Sequence, residues 1–453
     1  MPGRAALSAS GNLALFAAAA GGAIWQIAVA GLPPPYWASV FAAFLALNAH
    51  GLRWSGLMLV AGAGAAAAGA ALWLGIAIGP AVERASFLMA FLFVLQYMGQ
   101  LVAGSQDVAR GARLIVAQPP GRRYVFFSFG SHLLSLFLQL GGLLILIGML
   151  AARAAQESAA TIRALATGAL RGFAATAFWS PLSLSVLVTF SSVTGISYIA
   201  FLPAGIAAAA AFMLLGLWME RGRRSGAGAA PAAPLGPADR RLILRLAAPV
   251  AALIAGGLGL VAAFGLALIE GVFLAVFVMA VAWSVAQFGR GGANALRGAV
   301  AQGVGGITNE IAIICGAVLI GTLAADAVIA TEIMQGTLAP GTATMIAAAV
   351  PVTVIVASLV AINPLVTVTL LAGALDAVWP AGAKPWLVLA LTGGWSVAAC
   401  GSPLTASMLM TAKRLDLPAT RLAFAWNGRF TLLAALLVTL LAALGTALSA
   451  GAA

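Results

Sequence analysis

ALATGALRGFAATAFWSPLSLSVLVT, residues 164–189, is apolar enough for a membrane span but is broken in its middle by Ser180-Pro181. Proline has no backbone N–H and its ring clashes with the preceding turn, so a helix cannot run through it without losing a backbone bond. A second segment, 388–411, contains LALTGGWSVAACGSPLTASMLMT (389–411), with Ser402-Pro403 at its centre. SPLSLSVLVT (180–189) and SPLTASMLMT (402–411) share Ser, Pro, Leu, Ser, Leu and Thr at fixed places, 222 residues apart. At the same offset Gly172-Phe173-Ala174 meets Gly394-Trp395-Ser396. YMGQLVAG (97–104) also meets LIGTLAAD (319–326), which keeps Gly99 with Gly321 and Leu101 with Leu323. Ala/Leu-rich helices match one another by chance, but a match anchored on Ser-Pro and repeated at one offset points to duplicated halves.

The chain around these segments is 63% hydrophobic and 8% charged over 453 residues. A soluble protein carries about 25% charged residues, so this surface cannot face water. Apolar segments fall at about 11–31, 36–52, 54–79, 86–104, 124–150, 164–189 and 196–219, then at 242–264, 265–287, 308–324, 343–377, 388–411 and 422–448. The first is longer than a signal-peptide core and reads as a retained span. The net charge of +12 is scattered between these segments and forms no basic domain, so no nucleic-acid partner is expected. Cys315 and Cys400 lie in apolar runs outside any CxxC pair, and His50 and His132 are too few for a metal cluster. With no GxxxxGK[ST], paired carboxylates or nucleophile–base pair, an enzyme, an ATPase and a resident cofactor or metal are all unexpected.

Charge asymmetry sets the topology. Loop 105–123 carries Arg110, Arg113, Arg122 and Arg123, and the linker 220–241 carries Arg221, Arg223, Arg224, Arg240 and Arg241, so both belong in the cytoplasm. Three apolar segments separate them, and three crossings would put them on opposite sides, so one segment must return. The Ser-Pro break makes 164–189 either a re-entrant hairpin from the outside, the preferred reading, or a Pro-kinked span. If 388–411 is re-entrant from the cytoplasm, then Arg4, Arg53, Arg290, Arg297, Lys413, Arg414 and Arg421 all stay inside.

The expected fold is an all-α polytopic membrane protein of about eleven transmembrane helices plus two re-entrant hairpins, in the inner (cytoplasmic) membrane, with its N-terminus cytoplasmic. Its parts are an extra N-terminal span (1–35), a first repeat (36–219), the cytoplasmic linker (220–241) and a second repeat (242–453). Matched segments run in opposite directions in this layout, and inverted-topology repeats are the mark of secondary transporters.

Breaks inside a membrane occur beside a cavity, at which a helix N-terminus can aim free N–H groups. Ser180, Ser183 and Ser185 at one break, with Ser402, Thr405 and Ser407 at the other, add hydroxyls. A single Ser or Thr more often bonds back to its own helix; the clustering favours a binding site for a solute or ion. Segment 343–377 is too long for one span and has Asn363-Pro364 part-way, and 124–150 carries Gln139-Leu140-Gly141-Gly142. Each is expected to unwind there, turning Gln139 and Asn363 toward the site. Charges inside apolar runs are functional candidates. Glu270 either carries a coupling proton or snorkels at the interface. His132 either shuttles protons or bonds between helices, and Arg171 either attracts an anion or snorkels.

With this layout the sequence resembles the ion transporter superfamily, which includes divalent-anion/sodium symporters and the arsenite and sodium/proton antiporters. Members have eleven spans with two oppositely inserted hairpins, are usually dimeric, and move a transport unit as an elevator against a scaffold. The resemblance therefore implies a homodimer working by alternating access. In the symporters each hairpin tip carries Ser-Asn-Thr, which binds sodium and the substrate carboxylate. The matching positions here, Ser180-Pro181-Leu182 and Ser402-Pro403-Leu404, keep only the first Ser, so the layout carries over and the substrate does not. The function expected is secondary transport of a small anionic solute coupled to Na+ or H+. The alternative is a non-transporting membrane subunit of an envelope complex.

Overall fold

The computed structural model describes residues 2–29, 31–221, 235–289, 298, 300, 303–331 and 336–450. Arg223, Arg224, Arg290 and Arg297, used above to orient the chain, lie outside them. The described residues are helical throughout, with no strand. In chain order the helices are α1 (Pro2–Ala28), α2 (Pro34–Leu47), α3 (Trp54–Leu74), α4 (Gly79–Ala103), α5 (Gln106–Val116), α6 (Pro120–Leu138), α7 (Leu140–Ala151), α8 (Ala159–Ala175) and α9 (Leu184–Ser192). They continue with α10 (Tyr198–Arg221), α11 (Pro237–Phe264), α12 (Leu268–Phe288), α13 (Thr308–Ala330), α14 (Pro340–Leu359), α15 (Pro364–Asp376), α16 (Lys384–Gly401), α17 (Ala406–Arg414) and α18 (Gly428–Ala450). Among the described residues ten helical segments are long and apolar enough to cross a membrane, the stretch Ala381–Arg414 counting as one of them. The span expected at 36–52 is shorter than foreseen. The 14 residues of α2 reach only about 21 Å, against a hydrocarbon core of about 30 Å.

Two compact units interleave along the chain. The first comprises Met1–Val102, Leu253–Gly336 and Gly373–Ala377; the second comprises Ala103–Ala252, Thr337–Ala372 and Val378–Ala453. In the first unit α3 and α13 run parallel: Gly56 packs on Asn309 and Ala312, and Gly316 on the Leu59 backbone. Small residues at such contacts let helix backbones approach closely. The Asn309 side chain accepts the Arg53 N–H at 2.9 Å, and Asn12 and Asn48 exchange amide hydrogen bonds of 3.2 and 2.8 Å, both pairs buried or partly buried.

The second unit holds both Ser-Pro breaks. Here α6 and α8 are parallel: Tyr124 lies against Gly168, the Ser128 carbonyl against Gly172, and Gln139 against Leu182. Arg123 and Glu157, at the starts of this pair, form a 2.6 Å ion pair. Two parallel helices joined in sequence require a return between them, and α7 is that return. The chain folds at Gln139, and Gly142 comes so close to Leu134 and Ser135 that a Cβ would sit 2.6 Å from the backbone. The same holds for α14 and α16. Pro351 and Val354 lie against Gly394, the Ser402 hydroxyl bonds the Ser358 carbonyl at 2.7 Å, and the Leu338 N–H bonds the Val378 carbonyl at 2.8 Å. The return is α15.

The segments expected to be hairpins instead keep going. Along α10, Gly216 packs on Arg171, Gly205 on Phe178 and Trp179, and Tyr198 and Phe201 on Phe190 at 5.3 and 5.4 Å between ring centroids. That monotonic order places α8 and α9 end to end, antiparallel to α10. Along α18, Thr431 meets Gly401, Val438 meets Gly393, and Ser449 bonds Trp386 at 2.9 Å. From the break, α17 leads to Arg414, whose guanidinium lies against Gly148 of α7. The expectation of hairpins at 164–189 and 388–411 is thus corrected. The chain doubles back within 124–150 and 343–377, and the Ser-Pro segments are interrupted helices. The physical reason is that an Xaa-Pro break removes one hydrogen bond and redirects a helix only modestly. A positive φ at a helix end, as at Gln139 and Ala361, turns the chain round.

Candidate functional site

Four irregular stretches lie inside the second unit: two folds, at Gln139 and at 360–363, and two breaks, at 179–183 and 402–405. They match at the 222-residue offset, bond for bond. Ser180 N–H donates to the Thr176 carbonyl at 2.9 Å and Ser402 N–H to that of Ala398 at 3.0 Å. The Ser180 hydroxyl accepts the Leu182 N–H at 3.3 Å, and the Ser402 hydroxyl accepts the Leu404 N–H at 3.3 Å. α9 and α17 begin and end at the same offset, and so do the two folds: Gln139 has φ +49° and Ala361 φ +68°. A side chain with Cβ in that region costs about 1–3 kcal/mol and persists only where its surroundings enforce it.

Corresponding helices run in opposite directions. Gly393 of α16 lies against Phe178, in the short turn after α8, and the Cys400 carbonyl is tied through Asn427 to Arg171, so α16 descends as α8 ascends. Lys384, at the start of α16, bonds the Thr194 carbonyl just past α9 at 2.9 Å.

Each break is secured to the fold of its own half. The Gln139 amide donates to the Leu182 carbonyl at 2.8 Å. At the second break, Ser402 takes that part through Ser358, while the Thr405 hydroxyl donates to the Ser402 carbonyl at 3.0 Å and Ser407 to that of Ala399. Asn363 does not reach the break; it is exposed, and its side-chain oxygen caps the Leu365 N–H at 3.0 Å at the start of α15. Ser183 precedes α9 without a side-chain cap bond, and the Ser185 hydroxyl in the first turn is buried with no partner. Each break therefore presents the N-terminus of a short helix, suited to an anion, and the carbonyl end of a longer one, suited to a cation.

Of the charged candidates, Arg171 and Glu270 fall away from the breaks and His132 reaches the edge of the first. Arg171 does not snorkel: it is 1% exposed, with Nε on Asn427 at 2.9 Å, Nη1 on the Tyr124 hydroxyl at 2.9 Å and Glu220 at 3.9 Å, and it lies over the Phe430 ring at 4.1 Å. It braces helices. Glu270 belongs to the first unit and caps its own helix, accepting the Ala267 N–H at 2.9 Å. His132 bonds between helices, to the Gly172 carbonyl at 3.1 Å and the Trp179 indole at 3.3 Å.

Asn427 escaped the sequence reading. It sits just after a π-helical turn, Arg421–Trp426, is fully buried, and bridges Arg171 to the Cys400 carbonyl at 2.6 Å. π-turns occur often at functional sites, but nothing in RLAFAWNGRF announces one. Also missed were the partnerless buried hydroxyls of Ser131 and Ser135 on α6, Thr367 on α15 and Thr411 on α17. No protein-family model matches the chain, and no curated protein sequence is similar to it.

Proposed function

We propose that the protein is a secondary active transporter of the inner membrane that moves a small, anionic solute by elevator-like alternating access, coupled to a cation or proton gradient. The supporting observation is the pair of interrupted helices, matched bond for bond and running antiparallel, each fastened to a folded helix pair. On this reading α6–α7 and α14–α15 are the re-entrant hairpins, entering from opposite faces, and α8–α9 and α16–α17 are discontinuous spans. The two basic loops stay on one face, because one returning segment plus two crossings preserves the parity set by their arginines. Such a design puts helix ends of both polarities at mid-membrane depth, where an ion or solute can replace its hydration shell. Gln139, Ser180, Ser183 and Ser185 then belong to one half of the site, and Ser402, Thr405 and Ser407 to the other. The arrangement also keeps the likeness to the ion transporter superfamily, with the hairpins moved one segment earlier in each half, and with it an expected homodimer.

Flux of inorganic ions and organic acids into proteoliposomes tests this reading. Flux that falls at least tenfold in Ser180→Ala or Ser402→Ala, with the protein still folded, is the expected result. Wild-type flux in both variants would overturn the site, and no flux of any solute would leave the protein a non-transporting subunit.

A further inference from the structure

Both ring nitrogens of His132 are engaged. Nδ1 lies 3.1 Å from the Gly172 carbonyl oxygen and Nε2 lies 3.3 Å from the Trp179 indole nitrogen. An indole N–H only donates, so Nε2 is the acceptor; a carbonyl only accepts, so Nδ1 carries the proton. One neutral tautomer satisfies both bonds. The two rings also stack, with centroids 5.9 Å apart and planes at 29°.

Trp179 closes the short 3-10 turn, Thr176–Phe178, that follows α8, and its carbonyl accepts the Tyr198 hydroxyl at the start of α10. A second proton on His132 would turn Nε2 from acceptor into donor and set it against the indole N–H. The bond to Gly172 survives that change; the bond to Trp179 does not. Neighbouring ionisable groups are paired elsewhere or lie away from the ring. On α6, Arg123 pairs with Glu157 and Tyr124 with Arg171, while Arg122 lies in the first turn. On α8, Arg171 is held by Asn427 beside Glu220 of α10, and Arg163 is two turns and more before Gly172. On α5, Arg110 is 3.8 Å from Asp107, and Arg113 is exposed; α7 carries no ionisable side chain; on α10, Tyr198 is on Trp179 and Arg221 ends the helix.

We infer that His132 is a proton-binding latch on the first break: unprotonated it holds Trp179 in place, and protonated on Nε2 it releases the indole. This rests on the transport reading only in making that proton the coupling ion.

The chain has two histidines, so 15N-histidine-labelled protein in lipid nanodiscs shows two rings, and His50→Gln leaves one. At about pH 8 the His132 ring is expected as the Nδ1–H tautomer, converting to imidazolium as the pH is lowered to about 4. The Trp179 indole resonance, identified by its loss in Trp179→Phe, should shift along the same curve. In His132→Gln, which keeps a neutral donor and acceptor, it should stay fixed over that range. An Nε2–H tautomer, a ring that never titrates, or an indole indifferent to the His132 titration would each overturn the inference. The measurement needs no solute, so it stands or falls separately from flux.

Discussion

At the first break the Leu182 carbonyl is held by the Gln139 amide and the Trp179 indole by the His132 ring. At the second, the Ser402 hydroxyl closes on the Ser358 backbone, and the Thr405 and Ser407 hydroxyls close on carbonyls of the helix just ended. The backbone geometry is shared, while the fastenings differ in kind. One break is held by long side chains, one of them titratable, reaching over from α6. The other is sewn to main-chain acceptors by short hydroxyls, none of which titrates. Two breaks of the same backbone geometry therefore need not do the same work. On the latch inference the first break is the adjustable one.

The brace between the halves gives the largest expected effect. Arg171 is buried with Glu220, Tyr124 and Asn427, so Arg171→Met removes the guanidinium that all three share and strands the Asn427 amide oxygen. Removing one partner of such a pair costs about 3–5 kcal/mol. Thermal unfolding in detergent should show the loss directly, with Asn427→Ala milder because Arg171 keeps Tyr124 and Glu220. Equal losses in the two would mean that the load runs through Asn427, and that the halves are less separate than their fastenings indicate.

Packing provides the next contrast. Gly172 and Gly394 correspond at the repeat offset, but a Cβ at Gly172 would sit 1.9 Å from the Ser128 carbonyl oxygen, whereas at Gly394 the nearest atom is the Pro351 Cα at 3.0 Å. Gly172→Ala must push α6 from α8, and with it His132 and Gln139; overpacking of this kind costs about 1–3 kcal/mol or more. Gly394→Ala should cost clearly less by the same unfolding measurement. The reverse order would remove the claim that the first half depends on close contact with α6.

Much of this was legible in the sequence, and what was not has a physical cause. Ser180-Pro181 and Ser402-Pro403 marked the breaks because a missing N–H is written in the residue itself. The arginines of 105–123 and 220–241 led to the expectation of one returning segment in three, and the chain doubles back between the parallel helices α6 and α8. What they could not say is which. Proline advertises an interruption, but the reversal sits at Gln139, where α7 packs back on α6, and at Ala361, where a left-handed helix end is closed by the Ile362 N–H on the Ala357 carbonyl at 3.0 Å. Arg171 was legible as a charge in an apolar run; its partners Tyr124, Glu220 and Asn427 come from three other helices and share no local pattern with it. The hydroxyls beside the breaks stood out because they cluster next to Ser-Pro, whereas Ser358 and Asn427 are lone polar residues in apolar company.

The finest test compares the serines themselves. Ser402→Ala deprives the buried Ser358 carbonyl of its donor and the Leu404 N–H of its acceptor, a loss of about 1–3 kcal/mol. Ser180→Ala deprives only the Leu182 N–H of the bond seen there, about 1 kcal/mol, because the adjoining Leu182 carbonyl is still held by Gln139. Adding Gln139→Ala should then bring the first half to the level of Ser402→Ala in unfolding midpoint. If Ser180→Ala alone already costs as much as Ser402→Ala, the first break rests on its own serine after all. Gln139 would then be free to leave Leu182 and serve a solute instead.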